Sequence, residues 1–274
     1  AGGETPVLLN PRRRGEPLYL PLAPPHSRQE IGVSYDASIL LDRSALKVPA
    51  ADSERLNWPG RKWYIRVQGG KDFDQTAEGA VSQRRLDGYL PILINTWETG
   101  GVRYEQTSVA PYLDGDPAEP RGDETVVLLS RIVMRNTGGQ PAAASLRFQP
   151  ATDEQHILLE GSEVSAIGVR KNDQLTRYEN RRHRFSIVRH PAPQAPGAEP
   201  FIEDDNTIVC EAELQPGAGA RVDLLVPFVP LDAAPDRQKL IELGARFEDV
   251  LEAEAGRWRA IIAAQAKLEV PEPL

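Results

Sequence analysis

With one cysteine in 274 residues, the chain has neither an intrachain disulfide framework nor a multi-thiolate metal site. Cys210 lies in the strand-like run NTIVCEAEL, where a small buried hydrophobe is expected rather than a nucleophile. Histidine is nearly as scarce. His26, His156, His183 and His190 form no HExxH or His-x-His pair, so no metal site is expected. No run reaches the roughly 18 apolar residues of a membrane-crossing helix, so no membrane partner is expected. Gly-x-Ser-x-Gly and a Walker lysine are absent, and PGAGAR lacks the third glycine and the strand-to-helix setting of a dinucleotide fingerprint. Those chemistries drop out, and no cofactor is implied. A formal charge of −8 argues against binding a phosphate backbone. The basic clusters Arg12–Arg14 and Arg181–Arg184 sit beside acidic residues and read as solvated charge, so no nucleic acid partner is expected. No Asn-x-Ser/Thr acceptor is present. The opening AGGETP suits a mature N-terminus after signal cleavage and equally an arbitrary boundary, so export is one expectation and the compartment stays open.

What is present is a β pattern. Hydrophobic residues make up 40%, while 24 prolines and 22 glycines punctuate short apolar runs. PLYLPLAPPH reads as extended chain and IGVSYDASILLD as a strand. RKWYIRVQGG alternates until Gly69-Gly70, and LINTWE and VRYEQTSVA flank a Thr99-Gly100-Gly101 hairpin turn. TVVLLSRIVMRN is almost unbroken and β-branched, which suits a strand covered on both faces. In residues 206–232, Ile208, Cys210, Ala212 and Leu214 share one face. Val222, Leu224, Val226 and Phe228 share another, so the pair reads as an antiparallel hairpin turning at Pro216-Gly217, with Pro227 at a sheet edge or strand end. After Pro235 the period becomes helical: Leu240, Leu243, Phe247, Val250, Leu251, Trp258, Ile261 and Ile262 form one stripe over about 236–266. Asp236 is the expected N-cap, and Gly244 and Gly256 are expected to split or kink the segment. Ten to fifteen strands followed by a helix predict a mainly β fold, a large antiparallel β-sandwich with a C-terminal linker helix. The division expected is 1–235 for the sandwich and 236–274 for the helical linker.

Glycosidic chemistry needs two carboxylates about 5–10 Å apart. Asp114/Asp116, Asp123/Glu124 and Glu203–Asp205 are the acidic groups, all in turn-like stretches read as solvated, and DGDPAEPRGDE lacks calcium-loop spacing. An epimerase with a histidine acid and a glutamate base could draw on His156, His183 or His190 with Glu160. Aromatics are the remaining sign, because flat rings stack on sugar faces. Trp58, Trp97 and Tyr104 are the carbohydrate-contact candidates. Core filling is the reading for Trp63, and the residues leave exposure and burial of Trp97 open.

LINTWETGGVRYEQTSVAPYL, ETVVLLSRIVMRNTGGQPAAASLRFQP, LQPGAGARVDLLVPFVP and the terminal Trp helix occur in an order that resembles the N-terminal, galactose-mutarotase-like β-supersandwich of bacterial glycoside hydrolases and phosphorylases. The likeness covers roughly residues 85–274 and rests on pattern order. It implies a domain that packs on an (α/α)6 catalytic barrel of the same polypeptide and shapes its sugar cleft. It also implies that VMRNTGGQPAAASLRF forms a sandwich hairpin and that LEVPEPL hands over to the barrel. The catalytic carboxylates of that family lie in the barrel, so no catalytic residue is carried onto this chain. Carbohydrate is then an expected ligand. Phe247, Trp258, Ile261 and Ile262 are the candidates for inter-domain packing. A free-standing hexose epimerase, or a sandwich that binds carbohydrate or serves assembly, is the alternative.

Overall fold

The computed structural model describes residues 19–42, 62–115, 119, 124–150, 155–171, 174–190, 199–204 and 206–264, with 62–63, 155–156, 166–171 and 174–182 as backbone alone. Two antiparallel sheets face each other. The first contains β1 (Tyr19–Leu22), β2 (Ile31–Ser34), β3 (Ile39–Asp42), β4 (Lys62–Gly69), β9 (Ala142–Pro150), β14 (Thr207–Leu214) and β13 (Phe201–Glu203), in that order. The second runs β10 (Gln155–Glu160), β11 (Glu163–Lys171), β12 (Gln174–His190), β15 (Gly219–Pro227), β8 (Val127–Asn136), β7 (Val102–Val109), β6 (Leu93–Thr99) and β5 (Ser82–Arg85). Helices α1 (Ala234–Ala245) and α2 (Phe247–Ala264) follow.

The strand parity read from sequence explains the layers. Ile208, Cys210, Ala212 and Leu214 meet Val222, Leu224, Val226 and Phe228 in one core between the sheets, joined by Leu128, Ile132 and Met134 of β8. The alternate residues Val127, Leu129 and Leu225 enter a second core with Leu240, Phe247 and Ala255 from the helices. The helices therefore cover the outer face of the eight-stranded sheet, which is why β8 opens as an unbroken apolar run. Each aliphatic side chain so buried is worth about 1.5–3 kcal/mol.

Three expectations are corrected. The segment Ile31–Asp42 is two strands, β2 and β3, paired antiparallel around a turn that Asp36 Oδ1 closes by accepting from Ser38 N at 3.1 Å. The pairs β14–β15 and β8–β9 are arches between sheets rather than hairpins, because β15 bonds to β8 and β12 while β14 bonds to β9. Alternation fixes which face is buried, not which strand is bonded, and both connections satisfy the same pattern. Buried Asn136 ties the two arches together: its Nδ2 donates to Leu214 O and Gln140 O, at 2.8 and 2.7 Å. Its backbone N–H donates to Ala218 O, and its carbonyl accepts from Gly217 N. Finally, Ala233 rather than Asp236 occupies the N-cap of α1, with no side-chain capping bond. Pro235 takes an early helical position and Asp236 falls in the first turn, favourable to the helix dipole.

The Thr99–Val102 hairpin forms as expected, and Pro227 ends β15. The helical segment divides at Arg246, two residues after Gly244, whereas Gly256 lies inside α2. Gly244 is itself a contact: a Cβ there would come within 2.8 Å of Leu225, so α1 settles on β15 at that point.

Candidate functional site

The aromatic candidates are inside. Trp97 on β6 and Tyr104 on β7 are directly opposite in register and stack with centroids 5.2 Å apart and planes 3° from parallel. Both are buried, at 2% and 1% exposure, so the alternative left open for Trp97 resolves to core filling, and neither ring is presented at the surface. The hairpin turn exposes Glu98 and Gly100, but odd and even positions point to opposite faces, and Trp97 points into the core. Its indole lies over the backbone of Gly69 on β4, where a Cβ would sit 2.4 Å from Nε1. Tyr104 Oη accepts from Ser145 N of β9 at 3.3 Å, so the stack bolts one sheet to the other. Trp58 lies outside the described residues.

Phe247 also points inward. Its ring is 2% exposed and lies beneath the guanidinium of Arg131, 4.2 Å from the ring centre. It therefore packs within the chain, and its reading as an inter-domain contact is corrected. The cause is the break at Arg246, which turns the first residue of α2 down onto the sheet.

Under that residue lies a charged cluster that the sequence reading missed. Arg131 and Asp223 are register partners on β8 and β15, joined by Nε–Oδ1 and Nη2–Oδ2 bonds of 2.8 Å each. Nη1 of Arg131 reaches Glu248 at 2.7 Å, and His190 Nε2 lies 2.7 Å from the second oxygen of Asp223. Burial alone would weaken the Arg131 cation, yet Asp223 and then Glu248 reverse this and raise its pKa. The signal was available: one cation in VVLLSRIVM and one anion in RVDLLVPF, each interrupting an apolar strand. Because Asp223 is saturated by Arg131 and His190, this cluster positions elements and offers no free base.

Two of the histidines considered for an epimerase, His183 and His190, are likewise engaged. His183 is buried and joined to Ser186 Oγ at 2.9 Å; burial first, then Arg237 and Arg184, lower its pKa to about 4. His190 serves Asp223, and His26 is exposed at a positive φ. The His156 side chain lies outside the described residues, and Glu160 is exposed. The Cys210 thiol is 1% exposed and burial pushes it up to about 12, so it stays protonated and inert. Of the acidic groups, Asp114 pairs with Lys239 at 2.7 Å and Glu203 pairs with Arg147, while Asp116, Asp123 and Asp205 lie outside the described residues. Glu124 differs from expectation in being buried, at 5% exposure. No group of three or more His, Cys, Asp or Glu placed to hold a metal occurs among the described residues.

The remaining candidates gather toward the end of α2. Trp258 and Ile261 are half-buried, and Trp258 packs on the outer core. Ile262 is 37% exposed. Arg259, in the same turn, pairs with Asp87 at 2.9 Å, and two residues beyond Asp87 stands Tyr89, 49% exposed. Large exposed apolar side chains thus lie within three residues of each partner of an ion pair that joins the two segments. The chain matches no protein family model, and comparison with curated proteins finds no similar sequence.

Proposed function

We propose that the chain is a non-catalytic N-terminal sandwich of a carbohydrate-active enzyme of the glycoside hydrolase or phosphorylase type, which packs on an (α/α)6 barrel of the same polypeptide and shapes its sugar cleft. The observation that supports this reading is the surface around Arg259–Asp87. Tyr89 and Ile262 stand exposed there, on the two segments that the ion pair joins. Exposed apolar side chains on a fixed scaffold suit a partner surface, since a domain interface needs little reorganisation when its anchors are already positioned. The motif order from LINTWETGG to the Trp helix adds the kind of partner, by resemblance.

The test is the natural reading frame. Several hundred further residues with paired-helix periodicity are expected, and the longer protein should cleave or phosphorolyse glucosides. In that protein Tyr89→Asp and Ile262→Asp should lower the unfolding midpoint and raise amide exchange in α2. A frame that ends at Leu274, or equal exchange of α2 with and without the following sequence, would overturn the reading.

A further inference from the structure

A second feature lies on the outer face of the eight-stranded sheet, beyond the part that the helices cover. Strand register lays that face out in rows. Where α2 docks, Arg131 of β8 stands opposite Asp223 of β15. In the next row Val133 stands opposite Arg221, and in the one after it Arg135 stands opposite Gly219. On its other side Arg135 is directly opposite Arg103 of β7. All these positions share the outward parity, because Met134, Tyr104 and Val222 between them enter the core that joins the sheets.

The rows differ in how their cations are answered. Asp223 and Glu248 hold Arg131. Arg103 has Glu105 on its own strand at 3.7 Å, and Glu98 beyond it accepts from Thr137 Oγ1 at 3.1 Å. Arg135 and Arg221 make no ion pair and no hydrogen bond among the described residues, and Nε of Arg221 is shielded from solvent as well. β15 supplies a carboxylate opposite Arg131 but a glycine opposite Arg135. A Cβ at Gly219 would come within 2.9 Å of Met134 O, so the space beside Arg135 is left open.

Like charges directly opposite on neighbouring strands destabilise a sheet, so Arg103 beside Arg135 is a cost that folding does not explain. Nor does the balance of the chain, whose formal charge is −8. Between these cations Val133 is 40% exposed. The covered part of the same face shows what such a surface accepts. Phe247 and Glu248, consecutive residues in the first turn of α2, close together on Arg131: the guanidinium lies 4.2 Å from the ring centre and 2.7 Å from the carboxylate. The ring takes the flat of the cation and the carboxylate takes its edge donors. The start of a helix also favours carboxylates over cations.

We infer that the uncovered rows dock an acidic amphipathic helix of a partner protein, which sets an apolar side chain on Val133 and carboxylates on Arg135 and Arg221. The surface continues the one on which α2 already rests, and its unanswered charge is of one sign, which selects against cationic partners. Nucleic acid needs a longer basic track than these guanidiniums make in a chain of net charge −8. A bare oxyanion would leave Val133 in water. None of the residues around Arg259 and Asp87 takes part, so this docking and the barrel reading fail separately.

The experiment titrates the isotopically labelled chain with a blocked peptide of about 15 residues, near the length at which a helix holds in water, carrying phenylalanine and glutamates in its first two turns. Inorganic phosphate, and the same peptide with glutamine for every glutamate, are separate arms. Saturable amide shifts at Val133, Arg135 and Arg221 are expected with the acidic peptide. Arg135→Gln and Arg221→Gln should each weaken binding by about threefold to fivefold, the worth of an exposed ion pair, and Val133→Asp should abolish it. The arginine substitutions relieve like-charge repulsion, so their unfolding midpoints should hold or rise. If Val133→Asp does not fold, the two arginine variants carry the comparison. Absence of saturable shifts, equal binding of the glutamine peptide, phosphate shifts of the same size at the same amides, or affinity that survives both arginine substitutions would overturn the inference.

Discussion

Arg131 and Asp223 are register partners on adjacent strands and form a two-pronged ion pair at 6% and 2% side-chain exposure, directly under the first residue of α2. A pair so dry is not a large net source of stability, because desolving both charges offsets their attraction. Removing one partner is another matter. Asp223→Ala leaves a buried guanidinium with only the exposed Glu248 to answer it, and should cost about 3–5 kcal/mol in urea unfolding. Replacing both at once, Arg131→Met with Asp223→Leu, should recover most of that loss. If the double variant is as unstable as the single one, the pair contributes by geometry rather than by charge balance.

The Trp97–Tyr104 stack gives a second test, since its indole fills the space above Gly69. Trp97→Ala should destabilise by about 3–5 kcal/mol, as large core truncations do. Gly69→Ala should also destabilise, because its new methyl group enters the ring. Combining the two should cost less than their sum, the methyl now entering a vacated space. Calorimetric midpoints of the four proteins measure the coupling.

The success and failure of the sequence reading share one physical origin. Period-two alternation is a property of burial, so the inward faces of β14 and β15 and the two-sided burial of β8 were legible from Ile208 to Leu214, Val222 to Phe228 and VVLL. Hydrogen-bond partnership is a long-range choice and leaves no mark on that period, so two arches read as hairpins. Trp97 misled because nearness to a turn governs its backbone, while strand parity governs its side chain. The patch of Arg103, Arg135 and Arg221 was invisible because its members come from three separate strands and meet only after pairing. Arg131 and Asp223 could have been found, as lone opposite charges in apolar strands.

His183 gives a pH dependence whose sign follows from burial. Its pKa falls from the ordinary 6.5 to about 4, so the unfolded chain binds the proton more readily than the folded one. The stability this confers is complete above pH 6.5 and is lost as pH falls toward 4. His183→Gln should flatten that part of the profile, so the gap between wild type and variant should close or reverse from pH 7 to pH 4. A constant gap in thermal midpoint would show that His183 does not titrate with unfolding.

Glu254 has the opposite sign. It is 4% exposed, one oxygen pairs with Arg257, and burial, the larger effect, raises its pKa above the ordinary 4.5 despite that cation. The folded state therefore holds this proton more tightly than the unfolded chain. Its favourable contribution is complete below pH 4.5 and is lost as pH rises through the folded value. Glu254→Gln should raise the midpoint at pH 8 and leave it nearly unchanged at pH 4. A variant less stable than wild type at pH 8 would mean that the Arg257 pair outweighs desolvation.

The two helix glycines separate local propensity from packing. Gly256 lies inside α2 with helical backbone, is exposed, and has nothing within 4 Å of where a Cβ would stand. Alanine there adds helix propensity and meets no neighbour, so Gly256→Ala should stabilise by about 0.5–1 kcal/mol. Gly244 has the same propensity to gain, but its Cβ would press within 2.8 Å of two methyl groups of Leu225, beneath α1. The methyl would lift α1 from β15 or force Leu225 from its rotamer, at about 1–3 kcal/mol, more than propensity returns. Gly244→Ala should therefore destabilise, and its cost should shrink when it is made in a Leu225→Ala background, where room is open for the new methyl. Midpoints that rise for both glycine substitutions would show that the helices rest on the sheet less closely than Leu225 indicates.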